Sequence, residues 1–277
     1  MSDTLNMDTG TLVIDTSYGS TVGVMGGDPV VETNSRTHVE RLQIDIAAAM
    51  DAAPGHSMGP GDIHDIVVGT GPAPFTGLRA GIVTAKALAY ATGARLTGQD
   101  VLEPLARWMN IRQARERDGD ERADTARFCT LAVNDARRRQ LYFRLYEGSP
   151  DDTARCVPLC DMDIADPDDI VRRINGITRG LRSGSPDGAA PIRVHVLGRG
   201  SSRYERAWHA MNGCGEVRDE SIMQLEDGIG VFAACAASHR AAGETCPAGP
   251  LYLRRPDVSV PNPLKHVLNH GDARKAQ

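Results

Sequence analysis

No window of this 277-residue sequence is apolar over the roughly 20 residues that a membrane-spanning helix needs. The opening segment, MSDTLNMDTG, is polar and lacks the apolar core of a secretion signal, so a cytoplasmic protein is expected. Lysine is scarce: Lys86, Lys265 and Lys275 stand against many arginines, which points to GC-rich coding and to no chemistry. Net positive charge is missing too, with a formal charge of −5 and a pI near 5.9. A chain that neutralised many phosphates unaided would be basic, so tight direct binding of nucleic acid by this chain alone is not expected. The cysteines, Cys129, Cys156, Cys160, Cys214, Cys235 and Cys246, include no Cys-x-x-Cys pair. Cys156 and Cys160 make at most half a metal site with no second pair to complete it, so reduced, packed thiols are expected.

The common catalytic signatures are also missing. No Gly-Lys-Ser/Thr triplet closes a phosphate loop, and Gly69-Thr70-Gly71 is followed by Pro72, Ala73 and Pro74 instead of the third glycine of a dinucleotide fingerprint. The two prolines remove N–H donors from any cradle, so a structural turn is the better reading. There is no Gly-x-Ser-x-Gly elbow, and Ser17 and Ser35 have no base visible in sequence. Of the histidines only His266 and His270 are spaced i, i+4 on a helical reading, and they sit in a polar tail without a third ligand.

What is present is a strand–loop–helix unit around which the chain is organised. Ile66 to Val68 is a short apolar strand, Gly69 to Pro74 a tight loop, and a helix begins near Phe75 or Thr76 with Thr76 as its cap. This helix, to Thr92, is apolar nearly all round. At 100° per residue Leu78, Ile82, Ala85 and Ala89 lie on one side and Ala80, Val83, Ala87 and Ala91 away from it. The helix from Thr37 to Ala52, capped by Thr37 with Glu40, has the same excess. Val39, Leu42, Ile46, Ala49 and Met50 form one stripe, and Ile44, Ala47 and Ala48 lie opposite. One stripe suffices to pack each helix on its own sheet, and the second needs another cover.

The rest reads as two lobes. Leu12 to Ile14, Thr21 to Met25 and Val30 to Thr33 are strands, with Asp15 and Thr16 in the first turn. Asp15, Thr16, Gly69 and Gly71 are candidate nucleotide-proximal residues; the alternative is that Asp15 and Thr16 bond only the turn's own backbone. Arg95 to Gly98 is a strand, and Asp100 caps a helix to about Met109, with Glu103 completing the box. Residues 111–126 are charged without apolar rhythm, read as a solvated helix extension or a linker, and mark the lobe boundary, giving an N-terminal lobe over 1–110 and a C-terminal lobe over 111–277. Phe128 to Asn134 and Gln140 to Glu147 form a hairpin that repeats the opening strands. A loop over 148–163, a short helix from Pro167 to Asn175 and a flexible insertion from Thr178 to Ala190 follow. Ile192 to Leu197 is a strand, Ser201 to Met211 a helix, and Glu226 to Ala242 an apolar helix expected to pack back on the first lobe. The two ends, residues 1–10 and those after 255, read as tails.

The ordered run Gly69-Thr-Gly71-Pro72-Ala-Pro-Phe75-Thr76-Gly77-Leu78-Arg79-Ala-Gly81, with Thr84-Ala85-Lys86, resembles the signature of the TsaB (YeaZ) family. Ala73 and Pro74 replace the family's usual Gly and Ser. Asn134-Asp135-Ala136-Arg137 before Tyr142 resembles its Asp-Ala-Arg hairpin, and Pro250-Leu251-Tyr252-Leu253-Arg254 its C-terminal signature. The resemblance covers about residues 11–109, 128–147 and 192–255. It implies an α/β fold of two lobes with mixed sheets and flanking helices, the actin-like ATPase (ribonuclease H-like) fold. It implies a non-catalytic scaffold for threonylcarbamoyladenosine synthesis at A37 of tRNAs reading ANN codons. The expected partners are the catalytic paralogue TsaD, held through Ile44, Ala47, Ala48, Ala80, Val83, Ala87 and Ala91, and the ATPase TsaE; a second copy of this chain would use the same helices. On this reading tRNA is met only through the complex, ATP or ADP only there, and no cofactor or metal is expected in the isolated chain. TsaD's metal-binding His-x-x-x-His would fall at Val101 and Leu105, which cannot bind a metal. Two alternatives stand: a small-molecule kinase using Asp15 and the Gly69–Gly71 loop, and a metallohydrolase or glycoprotease-like enzyme.

Overall fold

A computed structural model describes residues 10–33, 38–119, 127–183 and 192–254. The first unit begins with strands β1 (Thr11–Asp15), β2 (Ser20–Val24) and β3 (Val30–Glu32), and helix α1 (His38–Asp51) follows. Strand β4 (Asp65–Gly69), helix α2 (Phe75–Thr92), strand β5 (Arg95–Gln99) and helix α3 (Glu103–Gly119) complete it. Its sheet runs β3-β2-β1-β4-β5, with β1–β2 antiparallel and β1–β4 and β4–β5 parallel.

The second unit repeats this plan. Strands β6 (Phe128–Asp135), β7 (Leu141–Glu147), β8 (Val157–Pro158) and β9 (Asp163–Ala165) lead to helix α4 (Pro167–Ser183). Strand β10 (Arg193–Leu197), the single-turn helix α5 (Glu205–Trp208), strand β11 (Cys214–Arg218) and helix α6 (Gly228–Ala241) end it. The sheet runs β11-β10-β6-β7-β8 with β9 also on β7; β6–β7 is antiparallel, β6–β10 and β10–β11 parallel.

Strand alternation sorts the core into three layers. Leu12, Ile14, Val22, Ile66 and Val68 point to one face of the first sheet and pack on Leu42 and Ile46 of α1 and Leu78 and Ile82 of α2. Val13 and Val67 point the other way, into a central layer with Leu105 and Met109 of α3, Phe232 of α6, and Ala132 and Tyr146 of the second sheet. Leu131, Phe143 and Val196 pack outward on Ile170 and Ile174 of α4 and on Trp208. The order is thus α1/α2, sheet, α3/α6, sheet, α4/α5, the two-lobed α/β fold with mixed sheets expected from the sequence.

Several local expectations change. Pro74, not Thr76, occupies the N-cap of α2. The Thr37 cap lies outside the described residues, as do residues 1–9, 120–126, 184–191 and 255–277. Of the two readings of the charged stretch, helix extension or linker, the structure takes the first: α3 runs on to Gly119 as a solvated helix, which needs no second apolar face. Asp100 does cap it, accepting from the N–H groups of Leu102 (2.8 Å) and Glu103 (2.9 Å). The 148–163 loop contributes β8 and the start of β9, and α4 extends to Ser183. The expected 201–211 helix is a 3-10 turn, Ser202–Tyr204, followed by α5.

Candidate partner-binding face

Helices α1 and α2 lie side by side on one face of the first sheet. Leu42, Ile46, Ala49 and Met50 of α1 are buried, as are Leu78, Gly81, Ile82 and Ala85 of α2. Turned away from the sheet are Ile44, 59% exposed, and Val83, 64% exposed. Ala47, Ala48, Ala87 and Ala91 are exposed with them, and Ala80 is half-buried. No part of the described chain covers these side chains. Sequence periodicity missed two members. Tyr90, seven residues after Val83 and so on the same side, is 93% exposed, and Val39 in the first turn of α1 clears the sheet at 37%.

The corresponding helix of the second unit is built differently. The outer surface of α4 carries Arg172 bonded to Asp169 (2.9 Å) and Arg173 bonded to Asp163 (2.6 Å) and Asp169 (2.8 Å). That is an ordinary solvated face. The α1/α2 face instead sets two large aliphatics and a tyrosine among alanines, and alanines let another helix approach closely.

The candidate nucleotide-proximal residues gather where the lobes meet. Oδ1 of Asp15 accepts the Ser17 N–H at 3.0 Å, and burial pushes the Asp15 carboxyl above the usual carboxylate range against the lowering effect of the Ser17 bonds. Gly69 backs onto that carboxylate: a Cβ there would lie 2.3 Å from Oδ1 of Asp15. Gly81 of α2 likewise leaves room for Thr16, whose Oγ1 would be 2.2 Å from an added Cβ. The Gly71 carbonyl accepts the Val101 N–H (2.9 Å), and from the second lobe Asn134 Nδ2 donates to the Pro72 carbonyl (3.0 Å). The cleft beside Asp15, Ser17, Tyr18, Asn134 and Arg199 is about 10 Å³, room for about one water. Val101 and Leu105 form part of its apolar wall, 6% and 2% exposed. The hydroxyl of Thr16, beside Gly81, is buried without a partner among the described residues. Among the described residues no group of three or more His, Cys, Asp or Glu side chains is placed to hold a metal ion, and no helix is long and apolar enough to cross a membrane.

The C-terminal segment bridges the lobes. The Leu251 N–H donates to the Thr70 carbonyl (2.8 Å), and Tyr252 packs on Phe75 with the rings tilted at 48° (4.7 Å between centroids) and accepts from Arg79 Nε (2.6 Å). Arg254 then donates to Gln140 on the second lobe.

Residues 26–151 match the model of the TsaD family, described as tRNA N6-adenosine threonylcarbamoyltransferase. An uncharacterised protein of Mycobacterium tuberculosis is 37% identical over 117 residues, 42% of this chain and 46% of that protein. One of Mycobacterium leprae is 32% identical over 144 residues, 49% of this chain and 34% of that protein. The chain therefore spans less than half the length of these curated relatives. Among solved structures, YeaZ from Pseudomonas aeruginosa superposes with a TM-score of 0.58 at 23% identity, over 88% of this chain and 99% of that one. A structure described as having similarity to peptidase YeaZ from Pseudomonas aeruginosa gives 0.56 at 22% over the same shares. The fold is thus that of YeaZ. The family match is confined to residues 26–151, and the likeness to YeaZ, at 23% identity, is a fold shared over 88% of this chain.

Proposed function

We propose that this chain is an accessory subunit of the machinery that makes threonylcarbamoyladenosine in tRNA, docking a TsaD-type catalytic partner through the outer face of α1 and α2. The observation that carries the reading is the uncovered apolar pair of helices in one lobe, set against the charged surface of α4 at the matching place in the other. The partner supplies the metal and the transfer chemistry on this reading, because Val101 and Leu105 stand buried where its histidines would be. TsaE and ATP or ADP join at the level of the complex, and a second copy of this chain would compete for the same face.

The test is a pull-down with the organism's TsaD, using Ile44→Arg and Ala87→Arg. Both side chains are exposed, so circular dichroism should report an unchanged fold. A charge trapped unpaired in the interface costs several kcal/mol, roughly a hundredfold or more in affinity. Binding retained by both folded variants would sink the assignment. The purified chain alone should neither turn over ATP nor modify tRNA. Steady ATP turnover abolished by Asp15→Ala would favour a kinase instead.

A further inference from the structure

Arg137, Arg138 and Arg139 form the turn between β6 and β7, and all three have left-handed backbone, φ 63°, 53° and 62°. For a non-glycine residue this conformation costs about 1–2 kcal/mol, and glycine or asparagine would take it more cheaply. The turn is pinned from below. The Ala136 N–H donates to the Gln140 carbonyl (3.0 Å), the Gln140 N–H to the Arg137 carbonyl (3.0 Å), and the Arg137 N–H to Oδ1 of Asp135 (2.8 Å). All three arginines are exposed. A tight turn that glycine would suit better carries three adjacent like charges, so neither backbone preference nor self-repulsion explains the residues chosen.

Two further guanidiniums border the turn. Arg203, 58% exposed, donates to Asp135 Oδ2 (3.2 Å), and Arg254 donates to Gln140. The Asp135 carboxylate is itself buried and directed at Arg203 and the turn backbone. On a chain of net charge −5 this is a local basic point.

We propose that this turn, with Arg203 and Arg254 beside it, is a contact for the phosphate backbone of RNA. The planar fork of arginine matches phosphate oxygens, and adjacent guanidiniums on a fixed turn reach neighbouring phosphates without further ordering. The inference rests on the function proposed above, which makes the RNA a tRNA held by the assembled complex.

The test compares the wild-type chain with the triple variant Arg137→Gly, Arg138→Gly and Arg139→Gly, which removes the charges while suiting the left-handed backbone. Filter binding of tRNA is measured over a salt series on the complex and, at low salt, on the isolated chain. Assembly is followed by size exclusion. The variant should assemble normally, bind tRNA about tenfold or more weakly and show a log–log salt slope shallower by roughly two. Unchanged affinity and slope with assembly intact would overturn the proposal. Lost assembly would overturn it in favour of a protein contact. If the wild-type chain joins no complex, the proposed function fails, and the isolated-chain comparison decides the turn by the same criterion.

Discussion

Asp65, at the start of β4, gathers guanidiniums from two distant parts of the chain. Arg95 donates from Nε and Nη2 (2.7 and 2.8 Å), and Arg240 of α6 donates from Nη1 (3.0 Å) and also bonds Thr97 (3.1 Å). The Arg95 bonds above all, with the Arg240 charge, hold the Asp65 carboxyl below its ordinary 3.8 against the opposing effect of burial. A depressed folded-state value means stability that is present above 3.8 and lost as pH falls through the folded value. Asp65→Asn should cost about 1–2 kcal/mol at pH 7, discounted because Arg95 is largely exposed. The deficit against wild type in denaturant melts should vanish under acid. His239 behaves in the opposite sense. Burial opposes its charge, but Glu103 (2.8 Å) and Glu244 (2.7 Å) prevail and raise it above 6.5. Its contribution is complete below 6.5 and fades as pH rises through the raised value. His239→Gln should therefore lower the melting temperature most in mildly acidic buffer and least in alkaline buffer.

At the scale of elements, α2 owes its close approach to Thr16 to Gly81 and not to its own helix propensity. Alanine is the better helix former by about 1 kcal/mol, yet Gly81→Ala should destabilise the fold by roughly 1–3 kcal/mol. Its Cβ would meet Thr16 Oγ1 at 2.2 Å, and Thr16 is buried with no room to retreat. A gain in thermal stability would show that the helix can slide. Much of this lobe was legible in the sequence. Short apolar runs between turn signals give β1 and β4, and the doubled stripes of α1 and α2 announce the exposed face because periodicity encodes direction. Strand β11 was not legible: it is an edge strand, half-buried throughout, and Glu216 and Arg218 break its apolar pattern. The far half of α3 was legible only as a solvated helix or a linker, since its charges satisfy solvent whatever the backbone does. The left-handed turn at Arg137–Arg139 is invisible because arginine carries no preference for that backbone.

Across the whole molecule the same strand order occurs twice, and α3 and α6 are the equivalent closing helices of the two units. They pack on each other in the central layer, held also by Arg107 Nη1 to Ser238 Oγ (2.9 Å) and Trp108 Nε1 to the Glu226 carbonyl (2.9 Å). That seam joins like to like, as the isologous interface of a symmetric dimer does, with both subunits strung on one backbone. Each half alone would leave Val13, Val67, Leu105 and Met109, or their counterparts, open to water, at roughly 1.5–3 kcal/mol for each large side chain. A fragment ending after α3 should therefore sediment as a self-paired or larger species and not as a folded monomer, the half-molecule seeking in another copy the twin it lost.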